Sequence, residues 1–254
     1  MCMLLVSYES HPKYKLIIAA NRDEFYNRPA APAKFWEDKP SLLAGRDLEA
    51  GGTWLGITKQ GRFAAITNYR DMKNFKKDAP SRGELVAGFL TGNDSPDIFS
   101  EKLYASADKY NGYNMLFTDM NDFFYFSNQT KKSLQLSPGI YGLSNHLLDT
   151  PWPKVEKSKT SFKKIMNEEN VSAAGLFEIL SDTSRPPDEL LPDTGIGLEI
   201  ERAVSPVFIS TTFYGTRSST IIFIDRKNNA EFIEKSLNPD SKECTSSSYK
   251  FKLL

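Results

Sequence analysis

Apolar residues in the N-terminal third gather into short runs of strand length. Met3–Tyr8 and Lys15–Ala20 flank a polar turn holding Pro12, the pattern of a β-hairpin. The polar cluster Asn21-Arg22-Asp23-Glu24 follows the second run and is expected to lie just past its end. Arg28-Pro29-Ala30-Ala31-Pro32 comes next and is too rich in proline for a helix. A second strand pair is expected over Thr53–Thr58 and Arg62–Asn68, joined through Lys59-Gln60-Gly61. Near Ser81 the period changes to that of a helix. Ser81-Arg82-Gly83-Glu84 has the S-x-x-E form of a capping box and precedes Leu85-Val86 and Phe89-Leu90.

Ser95-Pro96 supplies a cap and a first-turn proline for a second helix, expected to end near Asn111-Gly112. Strands resume at Tyr113–Thr118 and Asp122–Ser127, with a shorter one near Ile140–Leu143. A helix should run from Pro153 to about Met166, and another from a Ser172 cap to about Leu180. Ser184–Pro192 holds three prolines and reads as a surface loop. Val207–Phe213, Ser219–Asp225, Ala230–Glu234 and Tyr249–Leu253 read as closing strands. Strands, two helices, strands, two helices and strands in that order suit two packed sheets with helices outside, in one domain over 1–254.

Composition narrows the function classes. The 32 basic residues balance 32 acidic ones, so the chain has no electrostatic footprint for nucleic acid or anionic membrane. No stretch approaches the ~20 apolar residues that span a bilayer. The N-terminal residues lack the basic segment and cleavage site of a signal peptide, which points to the cytoplasm. The only two cysteines, Cys2 and Cys244, form no disulfide framework and suit a reducing compartment. His11 and His146 stand alone without HExxH or CxxC, so neither a metal site nor a cofactor is expected. Gly45, Gly51, Gly52 and Gly56 match neither the P-loop nor the dinucleotide fingerprint and read as turn and bulge residues.

Cys2 directly follows the initiator. It is small enough for the methionine to be removed, which would leave one residue carrying both a thiol (pKa ~8.5) and a free α-amine (~7.7–8.0). A nucleophile and a base would then share a residue. The plain alternative is a small buried hydrophobe at the start of a strand. A nucleophile at Cys2 needs a carboxylate to orient the amine, an arginine to favour the thiolate and amide donors for the oxyanion. Polar groups at strand ends supply such a set: Asn21-Arg22-Asp23-Glu24, Asn68, Asn145 and Arg217. Each also has a structural explanation, since Asp and Asn cap turns and surface ion pairs are common.

Several motifs carry a resemblance. Met1-Cys2, Ala20-Asn21-Arg22-Asp23-Glu24-Phe25-Tyr26-Asn27-Arg28-Pro29 and Gly51-Gly52-Thr53-Trp54-Leu55-Gly56 resemble the NRDE family, called transport and Golgi organisation protein 2 in animals. Asn68-Tyr69-Arg70, Ser81-Arg82-Gly83, Gly142-Leu143-Ser144-Asn145 and Tyr214-Gly215-Thr216-Arg217 continue the match over nearly the whole chain. Family members are similar to N-terminal nucleophile hydrolases, which implies an α+β, four-layer αββα sandwich of two mainly antiparallel sheets flanked by helices.

The resemblance implies Cys2, Arg22, Asp23, Asn68, Asn145 and Arg217 as a catalytic set, with Asn21, Trp54 and Tyr69 near substrate. Arg22 and Asp23 are adjacent here, whereas the cysteine acylases separate theirs. Neighbours on an extended strand face opposite ways, so both reach Cys2 only if the backbone turns. The expected activity is that of an amidase or thioesterase on an acyl substrate. The alternative is a non-catalytic carrier of haem or acyl lipid linked to secretory organisation, or an interaction factor without a small ligand.

Overall fold

The computed structural model describes residues 3–238 and 243–254. The chain divides into two compact units: residues up to 27 with 138–144 and 148–250, and residues 28–137 with 145–147 and 251–254.

The first unit is built on a six-stranded sheet. Its strands are β1 (Met3–Tyr8), β2 (Tyr14–Phe25), β10 (Gly139–Leu143), β11 (Tyr214–Asp225), β12 (Asn229–Leu237) and β13 (Cys244–Lys252), in the order β10-β1-β2-β11-β12-β13. The hairpin expected around Pro12 forms, with β1 antiparallel to β2. His11 organises its turn: the backbone N–H groups of Lys13 and Tyr14 donate to Nδ1, and Nε2 lies 3.1 Å from the Glu168 carbonyl. Helices α3 (Pro153–Met166) and α4 (Ala173–Leu180) begin and end where the sequence places them. Val155, Phe162, Leu176 and Leu180 from these helices pack on Met3, Leu5, Ile17, Ala19, Ile221 and Phe223. Leu4, Val6, Leu16, Ile18 and Ala20, on the other face of the same strands, are also buried. Burial on both faces is why β1 and β2 read as continuous apolar runs rather than as alternation.

The second unit is a seven-stranded antiparallel meander, β3 (Ala30–Trp36), β4 (Lys39–Asp47), β5 (Leu55–Thr58), β6 (Phe63–Asn68), β7 (Tyr113–Thr118), β8 (Phe123–Ser127) and β9 (Lys132–Gln135). Helices α1 (Gly83–Thr91) and α2 (Pro96–Ser106) bury Val86, Phe89, Phe99 and Leu103 against Leu42, Ala64, Met115 and Phe117. Two mainly antiparallel sheets, each with helices on it, are the α+β pattern expected. Among the described residues no helix is long and apolar enough to cross a membrane.

Several boundaries differ from expectation for identifiable reasons. β2 does not stop at Ala20 but continues through Asn21-Arg22-Asp23-Glu24 to Phe25, because β11 pairs with it along its full length. The proline-rich segment forms no helix, as expected, and enters a strand at Ala30. β3 lies at a sheet edge, and Pro32 falls where its register with β4 shifts, a position where a missing N–H is harmless. The capping box does not close: Glu84 instead accepts a 2.6 Å hydrogen bond from the Tyr110 hydroxyl. α2 stops at Ser106, and a 3-10 turn over Ala107–Lys109 replaces its expected last turn. Val207–Phe213 is not a strand, and only Ser210 makes a bridge, to Gly215. β9 and a short helix α5 (Leu198–Val204) were not anticipated.

Of the four glycines read as turn and bulge residues, Gly51 fits a turn, with φ of 77°. Gly45 lies in β4 where its register with β3 shifts, and a Cβ there would also lie 2.4 Å from the Trp54 ring. Gly88, by contrast, is exposed in α1 with open space around it. Gly45→Ala should therefore destabilise the protein by about 1–3 kcal/mol through overpacking, whereas Gly88→Ala should stabilise it by roughly 0.5–1 kcal/mol. Urea unfolding of the two variants against the parent checks the pair of signs.

Candidate functional site

The NRDE tetrapeptide is a straight piece of strand, and its side chains alternate. Asn21 and Asp23 share the helix-side face with Ile17 and Ala19, and Arg22 and Glu24 take the other. Asn21 is fully buried and fully engaged. Its amide nitrogen donates to the Leu180 carbonyl (2.8 Å) at the end of α4 and to the Val207 carbonyl (2.9 Å), and its oxygen accepts from the Ser219 hydroxyl of β11 (2.6 Å). Both amide hydrogens are thus committed to the fold. Asp23 is 2% exposed and accepts a 2.6 Å hydrogen bond from the Thr216 hydroxyl. Thr216 in turn takes the Ile209 N–H on its side-chain oxygen (2.9 Å), and its own N–H donates to the Ile209 carbonyl (2.8 Å). Asn21 and Thr216 therefore satisfy the backbone of Val207–Ile209, which explains why that apolar segment needs no strand partner.

Arg22 is also buried, with a guanidinium nitrogen 4.0 Å from the Glu24 carboxylate. Across from these residues β11 carries a β-bulge. Thr216 pairs with Asp23 and Ser218 with Arg22, which leaves Arg217 as the extra residue. The bulge frees Arg217 from the ladder, and its guanidinium donates to the carbonyls of Phe25 (3.0 Å) and Tyr26 (3.2 Å). Arg22, Asp23 and Arg217 thus gather at one end of the β2–β11 pair. Met3, the first described residue, pairs with Asn21 at that same end. Cys2 lies outside the described residues.

The remaining expected residues belong to the second unit. Asn68 ends β6, and its carbonyl accepts from the Asn145 amide (3.1 Å). The Arg70 N–H donates to the Asn145 carbonyl (2.8 Å). Tyr69 and His146 close the cluster with a 2.8 Å hydrogen bond between the phenol and Nε2, their rings 4.9 Å apart. The His146 carbonyl is held by the Asn114 amide, whose oxygen accepts from the Tyr125 hydroxyl. Burial pushes the His146 imidazole below its ordinary pKa, which keeps it neutral, and burial with help from Asp71 pushes the Tyr69 phenol up. Trp54 is buried over Gly45. Among the described residues no group of three or more His, Cys, Asp or Glu is placed to hold a metal ion.

Sequence reasoning missed Thr216, Ser219 and the partnership of His146. Ser219 and Thr216 gain meaning only from the β2–β11 register and its bulge, which no local pattern announces.

A family model described as Transport and Golgi organisation 2 matches residues 1–239. The chain belongs to this family. The Transport and Golgi organization 2 homolog of Mus musculus is 35% identical over 275 residues, covering 100% of this chain and 99% of that protein. The homolog of Homo sapiens is 34% identical over 276 residues with the same coverage, and Transport and Golgi organization protein 2 of Drosophila melanogaster is 29% identical with 93% and 92% covered. Among solved structures, the chain of this family member is similar to conjugated bile acid hydrolase from Clostridium perfringens, crystallised as its C2A variant. The TM-score is 0.52 at 9% identity, with 99% of this chain and 97% of that chain covered. At that identity the likeness shows the fold alone, and it agrees with the α+β sandwich expected of an N-terminal nucleophile hydrolase.

Two expectations follow. Asn21→Ala leaves two carbonyls and a hydroxyl without their partner, which should lower stability by on the order of 3 kcal/mol in urea unfolding. His146 should make stability pH-dependent. Below its ordinary pKa of 6.5 the unfolded imidazole takes a proton that the buried one resists, so stability present above that value is lost as pH falls through the lowered native value. His146→Gln should flatten that part of a melting-temperature profile.

Proposed function

We propose that this family member is an N-terminal nucleophile hydrolase of the cysteine type, an amidase or thioesterase on an acyl substrate. The observation that carries the proposal is the register of Met3 with Asn21, which joins Cys2 by one peptide bond to the strand end where Arg22, Asp23 and Arg217 gather. Further support is the fold of a hydrolase crystallised as a C2A variant, so that protein too has cysteine at its second position.

In the proposed reaction, removal of Met1 frees the α-amine of Cys2. The amine takes the thiol proton, and the sulfur attacks the acyl carbonyl. The C–N or C–S bond breaks as the proton passes to the leaving amine or thiol, and an acyl thioester remains on Cys2. Water then attacks that thioester with the amine as base, releasing a carboxylate and restoring the thiol. Arg22, on the face opposite Asn21 and Asp23, is assigned to the thiolate, which a nearby guanidinium favours. Asp23 acts as a positioning residue through Thr216, fixing the β2–β11 register. Arg217 holds the end of β2 through the Phe25 and Tyr26 carbonyls.

Intact mass of the protein from its native host should show loss of Met1; retention would rule out the amine as base. In the processed protein, pH-dependent alkylation should give Cys2 a lower pKa than Cys244. Arg22→Leu should raise that Cys2 value, while Cys2→Ala should abolish turnover of an amide and thioester panel. Equal reactivity of the two thiols would argue for a passive residue, and ligand binding that survives without any turnover would argue for carriage.

A further inference from the structure

A cavity of about 390 Å³ opens in the first unit between α4 and the β11–β12 pair. That volume would hold roughly a dozen waters and falls within the range of small-molecule sites. Its walls are apolar, formed by Phe177 of α4, Leu237 of β12 and Phe208 of the segment that Asn21 and Thr216 tie down. Among the described residues, three charged side chains line it: Lys235, Arg217 and Glu178. The Lys235 ammonium lies 4.2 Å from the centre of the Phe177 ring, so a cation sits directly against the aromatic wall. Arg217 is held at its place by the Phe25 and Tyr26 carbonyls. Among the described residues that line it, two cations stand against one acid beside an apolar surface.

We propose that this cavity binds a small apolar carboxylate, with its hydrocarbon on Phe177, Phe208 and Leu237 and its head group toward Lys235 and Arg217. The surplus positive charge among the described lining residues suits a monoanion. The site shares Arg217 and Thr216 with the strand end described above, but its occupation is read by binding alone and holds whether or not the protein turns a substrate over.

The cavity carries its own reporter, because Cys244 is exposed and lines it. In the full-length Cys2→Ala protein Cys244 is the remaining thiol. Decanoate titrated by calorimetry should bind one to one, and the rate of Cys244 alkylation should fall with the same midpoint. Lys235→Glu, at an exposed position, should weaken decanoate binding about tenfold, as expected for reversing one charge at close range in a solvated rim. Glu178→Lys should tighten it by a similar factor, and neutral decanol should bind more weakly than decanoate. Unchanged Cys244 alkylation at saturating decanoate would overturn the proposal, as would equal affinity in the two charge variants or for decanol. None of these readouts depends on catalysis, so failure of the hydrolase mechanism and failure of this site are separable.

Discussion

Asn21 is the point on which the candidate site hangs. Its buried amide makes three hydrogen bonds at once, to the last turn of α4, to the segment at Val207 and to Ser219 across the β2–β11 ladder. A buried amide left unpaired costs on the order of 1–3 kcal/mol for each group, so the three partners constrain one another strongly. Their common solution fixes the register of β2 on β11. From that register follow the Asp23–Thr216 bond, the bulge at Arg217 and the separation of Arg22 and Asp23 onto opposite faces. Asn21 thus ties α4, the Val207 segment and β11 to β2.

That arrangement answers a question the sequence left open. Arg22 and Asp23 can both serve one thiol only if the backbone turns between them, and it does not: β2 runs straight through to Phe25. The bulge lies on the opposite strand, where it re-aims Arg217. Asp23 is occupied by Thr216 on the helix side, and Arg22 stays on the other face with Glu24. The adjacency of the two residues in the motif therefore puts Arg22 and Asp23 on opposite faces of one strand.

Much of the fold was legible in the residues. Runs that bury both faces, such as Met3–Val6 and Leu16–Ala20, announce themselves as strands, and Pro96 and Pro153 mark their helix starts. What was not legible depended on partners distant in sequence. Asn21–Glu24 looks like a loop until β11 is beside it, and Val207–Phe213 looks like a strand until Asn21 and Thr216 satisfy its backbone. The short strand β9 is exposed along its length and carries one apolar residue, Leu134, so no apolar pattern marks it. For the site, the residue types were visible but their pairings were not. Tyr69 and His146 sit 77 positions apart, and only folding shows that each is the other's partner.

Family membership and fold are secure from the full-length match to animal relatives and from the shared architecture with a hydrolase. Whether Cys2 forms a covalent acyl intermediate is the central chemical question. The most direct measurement is peptide mapping after a brief, acid-quenched incubation of the processed protein with an activated acyl thioester. An acyl mass on the N-terminal cysteine, absent when Met1 is retained, is the predicted result. Acylation confined to Cys244, or none at either thiol, would contradict it.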